Sequence, residues 1–233
     1  MYDNKYINLF VLGFLSSISQ IILLKEFLVS FYGNELSIGI ILSFWLFWVA
    51  LGSYSGNKIN ALLSNHERAF KVLIFIFSFI NIITVLAIKL SRFFLNTPIG
   101  EYETILQLSI FSFLVLSINC FLIGYLFSLG ATIVKKGGIF LWESTNKSYA
   151  FESLGSVFGG VLFTCLFQKL FSHLEILLLL ITLNTFLFFK KRSYKIIFGI
   201  FVLLFALFYA KEFEENINKL KWKYINDEMQ YTK

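Results

Sequence analysis

Apolar runs broken by short polar stretches make up nearly the whole of this chain. Residues 6–31, 36–54, 70–88, 104–134, 148–167, 176–189 and 196–209 are rich enough in Leu, Ile, Val and Phe to predict seven helices, because a helix crossing hydrocarbon needs about 20 apolar residues. The breaks read as connections. Gly33-Asn-Glu35 is a tight turn that predicts an antiparallel hairpin of the first two helices. Residues 57–68 are polar and basic, with His66 as a loop residue, and residues 91–103 form a loop around the single proline, Pro98. The fourth run is long enough that it must tilt or overhang the bilayer. Lys135-Lys-Gly-Gly138 closes it, and the connection up to Lys147 puts Trp142 and Glu143 at the lipid–water boundary. The first run is too long for a signal-peptide core and lacks a small-residue cleavage site, which makes it a retained helix.

The polar and small residues inside the runs come next. At helical spacing Glu152, Gly155, Ser156, Gly159 and Gly160 share one face. The glycines let another backbone come close, and a carboxylate in hydrocarbon costs roughly 2.5 kcal/mol or more, so this face predicts a helix at the centre of its bundle. Gly52-x-x-x-Gly56 is a second close-packing pair. In the first helix Gly13, Ser16, Ser17 and Gln20 form a weakly polar stripe, followed by Lys25 and Glu26. Adjacent residues point about 100° apart and do not pair with each other. Both charges are expected at the headgroups with Lys25 snorkelling, the alternative being a cavity shared with Gln20.

Composition then fixes the class. Of 233 residues 58% are hydrophobic and 15% charged, with a mean hydropathy of +0.76, against about 25% charged in a soluble domain. The reading is an all-α, polytopic membrane helix bundle. A formal charge of +6 could point to nucleic acid, but the basic residues sit in short loops, where topogenic and lipid-headgroup roles account for them. The lipid bilayer is the expected partner and nucleic acid is not. Cys120 and Cys165 lie in apolar runs as small hydrophobes. His173 and Glu175 are two apart and do not face one point, so no metal site is expected there. Eleven Lys and Arg fall on the N-terminal side of seven helices and nine on the other, too small an excess to orient the chain.

The tail changes character. Around Asn226-Asp227, apolar and polar residues alternate from Trp222 to Tyr231, which predicts a short hairpin, one that is barely stable in water without a sheet to join. Together with Gln20-Ile-Ile-Leu-Leu-Lys-Glu26, Tyr32-Gly-Asn-Glu35, Ala50-Leu-Gly-Ser53 and Tyr149-Ala-Phe-Glu-Ser-Leu-Gly-Ser-Val-Phe-Gly-Gly160, this tail gives the chain its likeness. It resembles the N-terminal membrane region of the membrane-bound spermidine synthase-like proteins, which are polyamine aminopropyltransferases. The resemblance implies a transmembrane domain over residues 1–211 and, over 212–233, a linker and the first hairpin of a synthase domain. In that hairpin Gln230 aligns with the glutamine that approaches substrate, and Asp227 stands where the family has a turn glycine.

What the resemblance implies for activity is mostly negative. The Gly-rich loop that holds decarboxylated S-adenosylmethionine and the catalytic aspartate would lie beyond Lys233, so no cofactor and no aminopropyl transfer are expected of this polypeptide alone. The implied role is a cell-membrane anchor or regulator of a cytoplasmic synthase domain or subunit. A cytosolic substrate then requires a cytoplasmic C-terminus and, with seven helices, an external N-terminus. Two other classes stay open. In one, a major-facilitator-like half bundle, completed as a homodimer, binds or moves a small amine or polyamine through Glu26, Glu35 and Glu152. The other is a structural assembly protein in which the small-residue faces only make helix contacts.

Overall fold

The computed structural model describes residues 3–31, 33, 35–95, 103–135 and 141–188, with a few helical positions between 208 and 219. Seven helices build the described part: α1 (Asp3–Ser30), α2 (Glu35–Leu62), α3 (His66–Lys89), the short α4 (Ser91–Leu95), α5 (Ile105–Lys135), α6 (Leu141–Leu162) and α7 (His173–Phe188). α6 continues through a π-helical turn, Phe163–Phe167, and a last turn, Gln168–Leu170. There is no strand among the described residues. Five of these helices (α1, α2, α3, α5 and α6) are long and apolar enough to cross a membrane, so the chain is a multi-pass, all-α bundle. α7 is a shorter apolar helix, and the expected last helix and the tail hairpin lie outside the described residues.

Local chemistry sets several helix ends. Ser172 and Glu175 form a reciprocal box at the start of α7: Ser172 N donates to Glu175 Oε2 at 2.7 Å and Glu175 N to Ser172 Oγ at 3.4 Å. Thr104 and Gln107 do the same for α5, and Asn65 accepts from Arg68 N at the start of α3. Gly33, at φ +52°, makes the left-handed turn between α1 and α2.

The helices pack as two parallel pairs on a common centre. α1 lies along α6 and α2 along α5, while α3 leans on α1, α5 and α7. Contact order along each pair gives direction: Tyr6 meets Phe151, Phe10 meets Gly155 and Phe14 meets Gly159, as Trp48 meets Phe113, Gly52 meets Phe121 and Gly56 meets Ser128. α1, α3 and α6 therefore run one way and α2, α5 and α7 the other. Swapping α1 with α5, α2 with α6 and α3 with α7 maps one pair onto the other with every direction reversed, which is an inverted three-helix repeat joined through α4.

The sequence carries the same repeat. Phe10-Val-Leu-Gly-Phe-Leu-Ser-Ser17 corresponds to Phe121-Leu-Ile-Gly-Tyr-Leu-Phe-Ser128, and Leu51-Gly-Ser-Tyr-Ser-Gly56 to Leu154-Gly-Ser-Val-Phe-Gly159. The ungapped register that puts Gly52 on Gly155 also puts Asn81 on Asn184. The glycines do the same work in both copies. A Cβ at Gly13 would run into the carbonyl of Glu152 and one at Gly155 into that of Phe10; in the other pair Gly52 faces the carbonyl of Phe121 and Gly124 that of Val49.

Five expectations change. α6 is peripheral rather than central: its small-residue face meets α1, whereas Leu154, Val157 and Val161 are exposed, because one narrow glycine face seats only one neighbour closely. The turn at Gly33 does not make a packed hairpin, since α2 makes few contacts with α1 and follows α5 instead. His66 is no loop residue; it begins α3 and is buried. Residues 91–95 are helical, and α6 starts before the expected boundary, already at Leu141.

Candidate functional site

Polar side chains inside the bundle concentrate where the two repeats meet. On α3, Ser78, Asn81 and Thr84 lie three apart, share one helix face and are buried. Asn81 Nδ2 donates to the carbonyl of Phe77 in its own helix, which leaves Oδ1 as the acceptor for two neighbours. Ser19 of α1 donates to it in a short contact, and Asn119 of α5 donates from Nδ2 at 2.9 Å. Asn184 of α7 donates to Ser78 Oγ, again in a short contact. Four helices are thus tied together by carboxamides and hydroxyls in surroundings where an unmade hydrogen bond is costly. Asn119 Oδ1, fully buried, has no partner among the described residues.

Nearer the ends of α1 and α3 the polar layer becomes charged. Glu26 is 5% exposed. Its Oε1 takes His173 Nδ1 at 2.6 Å and Lys89 Nζ at 3.4 Å, so one carboxylate oxygen joins α1, α3 and α7. A carboxylate only accepts, so Nδ1 of His173 carries the proton. The capping box at Ser172 and Glu175 sets the first turn of α7 and thereby places His173. Ser30 Oγ donates to the carbonyl of Ile88 at 3.1 Å, closing α1 on α3 beside the cluster. Lys25, on the next face of α1, lies over the ring of Phe163 in α6, 4.9 Å from its centroid.

The acids expected to gather around a cation have separate surroundings. Glu26 does not point out of the bundle but is buried in it, with two basic partners from α3 and α7. Glu152 is half-buried on the α1–α6 seam, where Ser156 Oγ lies 3.2 Å from its Oε1 and 3.2 Å from the carbonyl of Gly13. Glu35 is exposed at the first residue of α2. Gln230 lies outside the described residues. The packing glycines Gly52, Gly56, Gly155 and Gly159 all meet a neighbouring helix, and Gly160 has Ser17 Oγ 3.7 Å from where its Cβ would stand. His173 and Glu175 serve different partners, and among the described residues no group of three His, Cys, Asp or Glu could hold a metal ion.

Sequence reasoning missed Lys89, His173, Ser19, Ser78, Asn81 and Asn184 as members of a site. Two signals were available: the Ser-x-x-Glu box ahead of an apolar run, and carboxamides in otherwise apolar runs, which need partners. The chain matches no family model, no curated protein and no solved structure.

Proposed function

We propose that this chain is the membrane domain of a spermidine synthase-like protein, anchoring or regulating a cytoplasmic aminopropyltransferase partner with its C-terminus on the cytoplasmic side. The observation that carries the reading is the state of Glu26. A transport acid awaiting a small amine would face a wet cavity with its charge open, whereas Glu26 is buried and already answered by Lys89 and His173. Glu152 is likewise engaged at a helix seam rather than held in a cavity. The stretches that carry the resemblance also include packing points of the fold: Ala50-Leu-Gly-Ser53 and the 149–160 stretch supply the glycines on one side of each seam, and Gln20 to Glu26 supplies the acid of the charged cluster.

The test is purification of the tagged chain from its native membrane in mild detergent, followed by an assay for aminopropyl transfer from decarboxylated S-adenosylmethionine to putrescine. Activity should co-purify with a bound synthase subunit and be absent from the chain expressed alone. A preparation without any synthase partner would overturn the anchor reading.

The inverted repeat favours a second reading, in which two copies form a carrier for a small amine, because such repeats frame the binding site in many transporters. Uptake of labelled putrescine into proteoliposomes that is lost in Glu26→Gln would establish it in place of the anchor.

A further inference from the structure

At the end of the bundle away from Glu26, α2, α5 and α6 part around a cavity of about 510 Å³. About half of its wall is polar, from Asn60 of α2, Thr132 and Lys135 of α5 and Ser144 and Thr145 of α6, and the rest is apolar, Leu63 and Phe127 among it. Asn60 is the most constrained of these. It is 3% exposed, and its Nδ2 donates to Thr132 Oγ1 at 3.1 Å. The hydroxyl of Thr132 spends its own proton on the carbonyl of Ser128 at 2.9 Å, so towards Asn60 it can only accept. That fixes the amide orientation and leaves Asn60 Oδ1 as a buried acceptor with no partner among the described residues.

The repeat supplies a control for this cavity inside the same molecule. In the register that superposes the two glycine seams, Asn60 corresponds to Phe163, Thr132 to Ile21, Lys135 to Leu24, Ser144 to Ile41, Thr145 to Leu42 and Tyr149 to Leu46. Phe163 and Ile41 are buried core residues, and Ile21 and Leu24 pack against that core. The scaffold is therefore complete with apolar side chains at these positions. Ser128 and His66 of the same wall correspond to Ser17 and Lys169 and are polar in both copies, so what sets this end apart is Asn60, Thr132, Lys135 and Ser144 where the other copy has apolar side chains.

We propose that this cavity binds a phosphate ester carrying a hydroxyl or ammonium donor, the chemistry of an anionic or donor-bearing phospholipid headgroup. No carboxylate lines the cavity among the described residues, which disfavours a cation, and Lys135 supplies a positive charge. Asn60 Oδ1 asks for a donor rather than for the phosphate oxygens, and an unanswered buried acceptor discriminates against ligands that lack one. The site sits in the last turns of α2 and α5 and the first turns of α6, at the level where headgroups meet water.

The experiment is native mass spectrometry of the delipidated full chain titrated with phosphatidylglycerol or phosphatidylcholine, the latter having no N–H or O–H donor in its headgroup. Phosphatidylglycerol should bind about fivefold tighter or better. Lys135→Gln, at an exposed position, should weaken it about fivefold, and Ala131→Leu, which fills the cavity without touching a charge, should weaken it more. Parent-like melting of both variants shows that the bundle is intact, and the comparison of the two lipids on the unaltered chain stands apart from any variant. Competition with sn-glycerol 1-phosphate separates the sources: displacement assigns the site to soluble phosphate esters, and retention of the lipid assigns it to the bilayer. Equal binding of the two lipids, or binding unchanged in both variants, would overturn the proposal.

Discussion

The α1–α6 and α2–α5 seams use the same device, while the ends that flank them do not. In each seam a glycine on either helix lies against the carbonyl of the residue three before the partner's glycine. Beyond that shared stretch the copies diverge. One end of the bundle is closed by Phe163 with Lys25 over its ring and by Glu26 with its two basic partners; the repeat-related end opens into a polar cavity. Lipid offers no hydrophobic drive for helix association, so the seams must rely on close backbone approach, and glycine is the residue that allows it. The ends lie nearer water and are released from that demand, so there the two copies take on different polar chemistry.

The comparison can be broken most forcefully at Glu26. Glu26→Ala removes the carboxylate that the partly buried Lys89 and His173 share, and loss of one partner of a buried pair costs up to about 3–5 kcal/mol. A large fall in detergent melting temperature is expected. Adding Lys89→Met and His173→Phe to Glu26→Leu should recover much of it, since an apolar set of similar volume carries no stranded charge. Melting of Glu26→Ala with the parent would mean that the charged end holds nothing together.

The likeness of the seams is tested next. Gly52→Leu and Gly155→Leu each force a side chain into a backbone and should cost about 1–3 kcal/mol or more, by similar amounts. Gly39→Leu is the control, because a Cβ there meets nothing within 4 Å. A clear gap between the two seam variants in thermal melts would show that the seams only look equivalent. Asn81→Leu and Asn184→Leu come third, at about 0.6 and at most about 1.7 kcal/mol each, the range for interhelical hydrogen bonds in membrane proteins. The smallest effect is expected for Lys25→Met, about 0.5–1 kcal/mol from the contact over Phe163, read as a small melting shift beside an unchanged Gly155→Leu penalty in the double variant.

Much of the fold could be read along the chain, and the reason is length scale. Hydrophobic runs and turn residues are local, so α1, α3, α5 and the start of α7 fall close to where the pattern puts them, whereas α2 runs on through the polar stretch to Leu62. The shared face of Glu152, Gly155 and Gly159 was legible too, but which helix meets it was not, because a small-residue stripe names no partner. That is how α6 came to be read as central when it packs on α1 alone along its glycines. The site was the least legible part. Glu26 beside Lys25 looks like a membrane boundary when one helix is considered, and its partners on α3 and α7 are brought to it only by tertiary packing. The repeat was present in Leu-Gly-Ser-x-x-Gly all along, yet four identities in six positions stand out only once the contacts reveal that both copies make the same seam.

The inverted arrangement also has a bearing on biogenesis. A motif that serves in both halves has been threaded through the bilayer in both senses, so the apolar pattern itself holds no information about which way the protein faces. On the seven-helix expectation the Lys and Arg residues divide almost evenly between the two sides, eleven against nine. Insertion direction then rests on a handful of loop charges, and moving two or three lysines across the membrane should yield a mixed population in which the same bundle is assembled upside down.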